Sequence, residues 1–415
     1  MSDEPDGPVP DPRDPNRLGV DEPAFRSVTN VPLVLSDADF FPGPEPQHVS
    51  THLTASVEDD HAARQRVLNL PGPGLPEALG WTFGLLTAHV GAAVAMLLVI
   101  AGLMFLSGEW HEGAFDLQAR PDLNLLLVGG GQMLVLLISV IAAACRCADR
   151  LSTKLNFSVP HPLHSLIIVG LMLPLSSVSG GVYWVAHRLW LRIVDACPPL
   201  RIVDSMNTVE AMGELTMLGS LPIMLVIFAV GPALGEELIF RGVIGRGLVA
   251  RWGLTTGVVI TSLLFAVMHL HPAHVLGVIP LGIAMHLIYL STRSFWAPVM
   301  LHFLNNSWAT VASRMSQASQ LDPALVDGAP SVGLLIASCV AVIVLGTLLY
   351  HTRTRYVLMD GAEWTPGYLT VEAPPEGVES RIDHGLWSHR TLVAAATAWA
   401  SFAVAFAAEI VAFAR

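Results

Sequence analysis

Three polar groups interrupt the most apolar part of the chain: Glu236-Glu237 with Arg241, His269 four residues after Phe265, and His302 with Asn306. Carboxylates and imidazoles move protons, and amide and imidazole N–H groups hold developing negative charge. Glu237 and Arg241 are four residues apart, so on a helix they share a face and can pair, leaving Glu236 on a neighbouring face as a general base. His302 and Asn306 repeat the four-residue spacing and form a second polar face, with Asn305 one position off it. Such a set could activate water for hydrolysis without a serine or cysteine nucleophile. Each motif taken singly also has a plainer reading. The acidic pair and Arg241 could mark a helix end at the headgroup boundary, His269 could bond a backbone carbonyl, and His302 and Asn306 could be polar contacts between helices.

These side chains need elements that carry them into a common site. Hydrophobic residues make up 53% of the 415 and charged residues 13%, the latter about half the ~25% of a soluble domain. Mean hydropathy is +0.56. Residues 84–106 hold only His89 as a group of possible charge, and an apolar run of 18 or more residues reads as a transmembrane helix. Further spans are expected at about 123–145, 163–187, from 221 through Pro232 into the acidic pair, 254–270, 274–290, 295–312, 331–350 and 390–414. The fold expected is therefore all-α, a polytopic membrane bundle of about eight or nine helices with a polar N-terminal region. Pro232 should kink or break its helix. An antiparallel hairpin around Trp252-Gly253 would bring Glu236 and His269 to one level, since each lies roughly 22 Å of helix from the turn.

The expected organisation is a polar, partly disordered region at 1–80, with a short helix at Ser56–Asn69, then two helices and their connection at 81–160. A catalytic membrane core follows at 161–315, and C-terminal helices at 316–415 flank a polar loop at about 354–388 that could form an extramembrane flap. The four cysteines give one C-x-C, Cys145 and Cys147, without nearby metal-ligand partners, and a structural role is expected for it. The net charge of −12 and the absence of a clustered basic patch speak against nucleic-acid binding. The acidic start lacks the apolar core of a signal peptide. Arg146, Arg150, Lys154, Arg241, Arg246, Arg251, Arg293, Arg353 and Arg355 fall on one set of alternate connections, which places the N-terminus in the cytoplasm.

In order on successive apolar helices, E-E-x-x-x-R, F-x-x-x-H and H-x-x-x-N resemble the CPBP family, which includes the CAAX prenyl endopeptidases and the bacteriocin-processing Abi proteins. The stretch from Leu281-Gly282 through Ser291–Pro298 to His302 adds to the likeness, which covers about residues 165–315. The resemblance implies an intramembrane endopeptidase of a bacterial plasma membrane, acting on a membrane-associated or prenylated peptide. It implies Glu236 as the catalytic carboxylate, His269 as its partner in activating water, His302 and Asn306 as the oxyanion site, and Glu237 and Arg241 as supports. No cofactor is certain. Zn²⁺ is the alternative, with Glu236, His269 and His302 as its three ligands, although the H-E-x-x-H signature is absent. His271 and His274 compete with His269 as the reactive imidazole, and a metal-binding histidine cluster could form there. His286 reads as packing or support. A transporter, whose midplane sites also use broken helices, and a catalytically silent scaffold or immunity protein are the other classes. Oligomeric state and substrate are open.

Overall fold

The computed structural model describes residues 70–109, 116, 119–147, 150–204, 206–319, 329–382 and 389–413. All of these lie in one compact unit. The polar region expected at 1–80, up to residue 69, and the helix expected at Ser56–Asn69 fall outside the described residues.

Eight long helical stretches build the bundle: α1 (Leu75–Ser107), α2 (Pro121–Cys147), α3 (Pro162–Ala196), α4 (Leu221–Val267), α5 (Pro272–Thr292), α6 (Trp296–Ser319), α7 (Val332–His351) and α8 (His389–Phe413). Among the described residues, seven helices are long and apolar enough to cross a membrane, with α4 counted as one. The expected fourth and fifth spans are the two arms of α4. The expected seventh, α6, is a 24-residue helix outside that set of seven. The chain is an all-α, multi-pass membrane protein.

Helices α1 and α2 pack on each other, α2 and α6 flank the first arm of α4, α3 lies against α5 and α7, and α8 lies against α7. The physical order follows from composition. Helix α1 is apolar on every side and leaves Leu98 and Phe105 largely exposed, as suits a face turned to lipid. The main core gathers around α4, where Phe240, Ile244, Leu248 and Phe265 meet Leu281, Met285, Ala297 and Leu301.

Of the kink or break expected at Pro232, the break is absent, and the helix runs on through it. A π-helical turn, Val226–Val230, precedes Gly231–Glu237, and a second, Leu238–Gly245, follows it. Proline has no N–H for the Phe228 carbonyl four residues back, and Asn306 Nδ2 donates to that carbonyl at 3.0 Å; π-helical turns cluster at functional sites. The hairpin expected at Trp252-Gly253 is present. Gly253 has φ 71 and ψ −176 within α4, a left-handed φ that glycine adopts without a steric cost. Beyond the turn, a Cβ on Gly257 would lie 2.5 Å from Val249 Cα, so only hydrogen lets the two arms approach this closely.

The segment expected as a polar flap is more ordered than a loop. It forms an antiparallel ribbon, β1 (Thr354–Val357) with β2 (Glu379–Ile382), in which Thr354 faces Ile382 and Val357 faces Glu379. Its connection docks on the bundle: Ala373 N–H donates to Thr153 O at 2.8 Å, and Leu369 packs with Val249 and Val258. Tyr356 is fully buried. Its hydroxyl donates to Glu372 O at 2.7 Å and accepts from Asn156 Nδ2 at 3.0 Å, and the Arg293 guanidinium lies 4.0 Å from its ring centre. Burial pushes the Tyr356 phenol up, so the hydroxyl stays a donor. At the same end Arg146 pairs with Glu77 at 2.8 Å, Arg246 with Glu372 at 3.3 Å, and Arg251 Nη1 donates to Pro71 O at 2.8 Å.

Candidate active site

Helix α4 carries the glutamates into the centre of the bundle between its two π-helical turns. Glu237 and Arg241 are both fully buried, and Arg241 Nη1 donates to Glu237 Oε1 at 2.7 Å. Arg241 Nη2 donates to the Gly282 carbonyl of α5 at 3.0 Å, and its guanidinium carbon stands 4.5 Å from the Phe265 ring centre. The buried cation is thus neutralised, hydrogen-bonded and stacked on an aromatic face, the combination that makes such a charge tolerable.

His302 enters from α6 and places its ring between the two carboxylates. Its Nδ1 hydrogen-bonds Glu237 Oε1 at 2.9 Å, and its Nε2 lies 3.9 Å from Glu236 Oε2. Glu236 is the more open of the pair, with 17% of its side chain exposed against none for Glu237. Glu236 Oε2 is itself buried without a hydrogen-bond partner. The two glutamates are therefore not equivalent. Glu237 uses Oε1 to hold both Arg241 and His302 while its Oε2 is buried without a partner, and only Glu236 combines an unpartnered oxygen with partial exposure. The sequence had grouped His302 with Asn306 and left unseen that His302 is wedged against the acidic pair.

Asn306 lies one turn beyond His302, and its Nδ2 donates to the Phe228 carbonyl at 3.0 Å. Asn305 orients it: Asn305 Nδ2 donates to Asn306 Oδ1 at 3.2 Å, and Ser176 Oγ of α3 donates to Asn305 Oδ1 at 2.7 Å. The Phe228 carbonyl uses one of the two N–H donors of the Asn306 amide, so a second remains.

His269 follows α4 directly. Its Nδ1 bonds the Ala266 carbonyl at 3.3 Å, its ring packs 4.5 Å from that of His274, and it lies in electrostatic reach of Glu236 and His302. Phe265 joins the motifs. Its ring contacts His269 at 5.4 Å, His302 at 5.9 Å and Phe240 at 5.3 Å, in addition to Arg241. Sequence spacing marked Phe265 only as the residue before His269; its position as a shared wall needed the packed helices. His286 is buried and packs against Gly245. Cys147 is buried with its Sγ 3.9 Å from Arg246 Nη1, and Cys145 is exposed.

The residues expected to hold Zn²⁺ do not form a compact ligand set. Among the described residues, the three-residue group whose donor atoms all lie within 4.8 Å of one another is His187, Asp204 and His271, not Glu236, His269 and His302. Of the three, Glu236 Oε2 and His302 Nε2 stand 3.9 Å apart.

Residues 218–308 match the family model of type II CAAX prenyl endopeptidase Rce1-like proteins. Over 98 residues the chain is 28% identical to the "Putative membrane peptidase YdiL" of Bacillus subtilis (strain 168), a match that covers 23% of this chain and 40% of that protein. No solved structure matches. The matched stretch holds the glutamate pair, Arg241, Phe265, His269, His302 and Asn306 together, so the part of the chain that resembles the CAAX proteases is the part that carries these residues.

Proposed function

We propose that the chain is an intramembrane endopeptidase that hydrolyses a membrane-associated or prenylated peptide with water activated at Glu236. The observation that carries this reading is the orphaned Glu236 Oε2 facing His302 Nε2 across 3.9 Å. That separation is too long for a direct hydrogen bond and suits a water held by both groups. Glu237 fixes the His302 ring through Nδ1, so Nε2 points at the water. Glu236 takes the proton, and the oxygen attacks the scissile carbonyl. The second N–H of Asn306 steadies the oxyanion, and Glu236, now protonated, or His269 returns a proton to the leaving amine.

A cavity of about 410 Å³ lies between α1 and α2 and reaches Ile239, lined by Trp81, Gly84, Leu85, Ile138 and Ala142. Its apolar walls next to the glutamate-bearing helix favour a substrate with a lipid chain. The arginine-rich end with Arg146, Arg246 and Arg251 is placed in the cytoplasm by the positive-inside rule.

The test is cleavage of prenylated and unprenylated peptides by wild type and Glu236→Gln in liposomes, with peptidomics of membranes carrying either form to find the native substrate. Glu236→Gln should lower cleavage at least ~100-fold and leave thermal unfolding unchanged. Near-normal cleavage by the folded variant would remove Glu236 from the base role. Equal rates on both peptides would remove the lipid-chain preference.

A further inference from the structure

A second group of metal-ligating side chains lies outside the glutamate site. His187 comes from α3, Asp204 ends the one-turn helix Arg201–Asp204, and His271 caps the start of α5. One donor atom from each lies within 4.8 Å of the others. We propose that His187, Asp204 and His271 form a binding site for a divalent transition-metal ion, separate from Glu236 and His302.

Geometry separates this reading from a simple ion pair. His271 Nε2 and Asp204 Oδ1 are 3.4 Å apart, longer than a well-formed charge-assisted hydrogen bond of ~2.7–2.9 Å. Ligands at ~2.0–2.1 Å around a tetrahedral ion are separated by about 3.3–3.5 Å, which matches. Two imidazoles and one carboxylate are also a known ligand set for zinc, with a fourth position left to water. The surroundings orient the donors as supporting groups around a metal do. Trp190 Nε1 donates to Asp204 Oδ1 at 3.1 Å, and Tyr183 stacks on His187 with ring centres 5.4 Å apart. His271 is fully buried, and Nε2 is the nitrogen it turns toward Asp204. Asp204 keeps 28% of its side chain exposed, so an ion can enter from solvent.

The site would also tie three segments to the turn that carries His269. His271 N–H donates to the His269 carbonyl at 2.6 Å, and Leu270 between them has φ 59, an uncommon conformation for leucine. An ion on His271 braces this turn against α3.

The experiment uses full-length protein in detergent, free of any histidine tag, titrated with Zn²⁺ and with Co²⁺. Metal content, the visible absorption of bound Co²⁺ and hydrogen exchange of residues 266–274 are read together. Wild type should bind one ion per chain, develop ligand-field bands and slow its exchange in that segment. Asp204→Asn and His187→Gln, which sit on different helices, should each weaken binding at least ~100-fold, more than the 10–100-fold typical of losing a supporting group. Glu236→Gln should bind as wild type does, which keeps the outcome independent of whether the chain cleaves peptides. No ion on wild type, undiminished binding by both cluster variants, or loss of binding in Glu236→Gln would each overturn the proposal.

Discussion

Helices α1 and α4 are both long and apolar, yet 17% of the most apolar stretch of α1 is buried inside the protein against 56% for α4. The first faces lipid and carries no charge through its middle. The second carries two glutamates and an arginine, and it can do so because neighbouring helices supply the partners that lipid cannot. Hydropathy decides that a helix enters the membrane. Burial by other protein decides whether it can hold a charge there.

Breaking the buried pair tests this contrast hardest. Arg241→Met leaves Glu237 buried without its cation, and a loss of about 3–5 kcal/mol is expected, read as a large drop in thermal midpoint and in extracted yield. Unchanged stability with lost cleavage would make Arg241 a direct contact to substrate. A smaller effect is expected at the hairpin of α4. Gly257→Ala puts a methyl against the Val249 backbone, and the forced shift should cost about 1–3 kcal/mol. An unperturbed thermal midpoint would mean that the two arms separate easily.

At the ribbon, Tyr356→Phe removes a buried hydroxyl that bonds Asn156 and the Glu372 carbonyl. The cost should be about 1 kcal/mol, with faster proteolysis of the 354–382 segment. Equal proteolysis would show that the docking rests on apolar contacts alone. The smallest effect belongs to the lipid-facing helix. Leu98→Ala should change stability by less than about 0.5 kcal/mol, because lipid tails replace the lost contact. A large change would place a protein partner on that face.

Much of the architecture was legible in the chain. Long apolar runs gave the helices and their order, because a membrane leaves the backbone few ways to satisfy its hydrogen bonds. The four-residue step from Glu237 to Arg241 gave their pairing, which is local to one helix. Pro232 could be read only as a kink or a break, because whether the helix continues depends on a tertiary partner, here Asn306 of α6 on the Phe228 carbonyl that proline leaves free. The 354–382 ribbon was hidden too, because four-residue strands leave too short a pattern to read.

The membrane setting, the helical class and the residues of the three motifs were thus determined by composition and near-neighbour spacing. The way those motifs meet was decided by tertiary structure. His302 and Glu237 are 65 positions apart and Arg241 and the Gly282 carbonyl 41. Which ring nitrogen faces which carboxylate depends on the rotation of α6 against α4. Phe265 became the shared wall of the site, and His187, Asp204 and His271 came together, by the same means: rigid helices from distant parts of the chain, packed at fixed rotations, set contacts that no local spacing encodes.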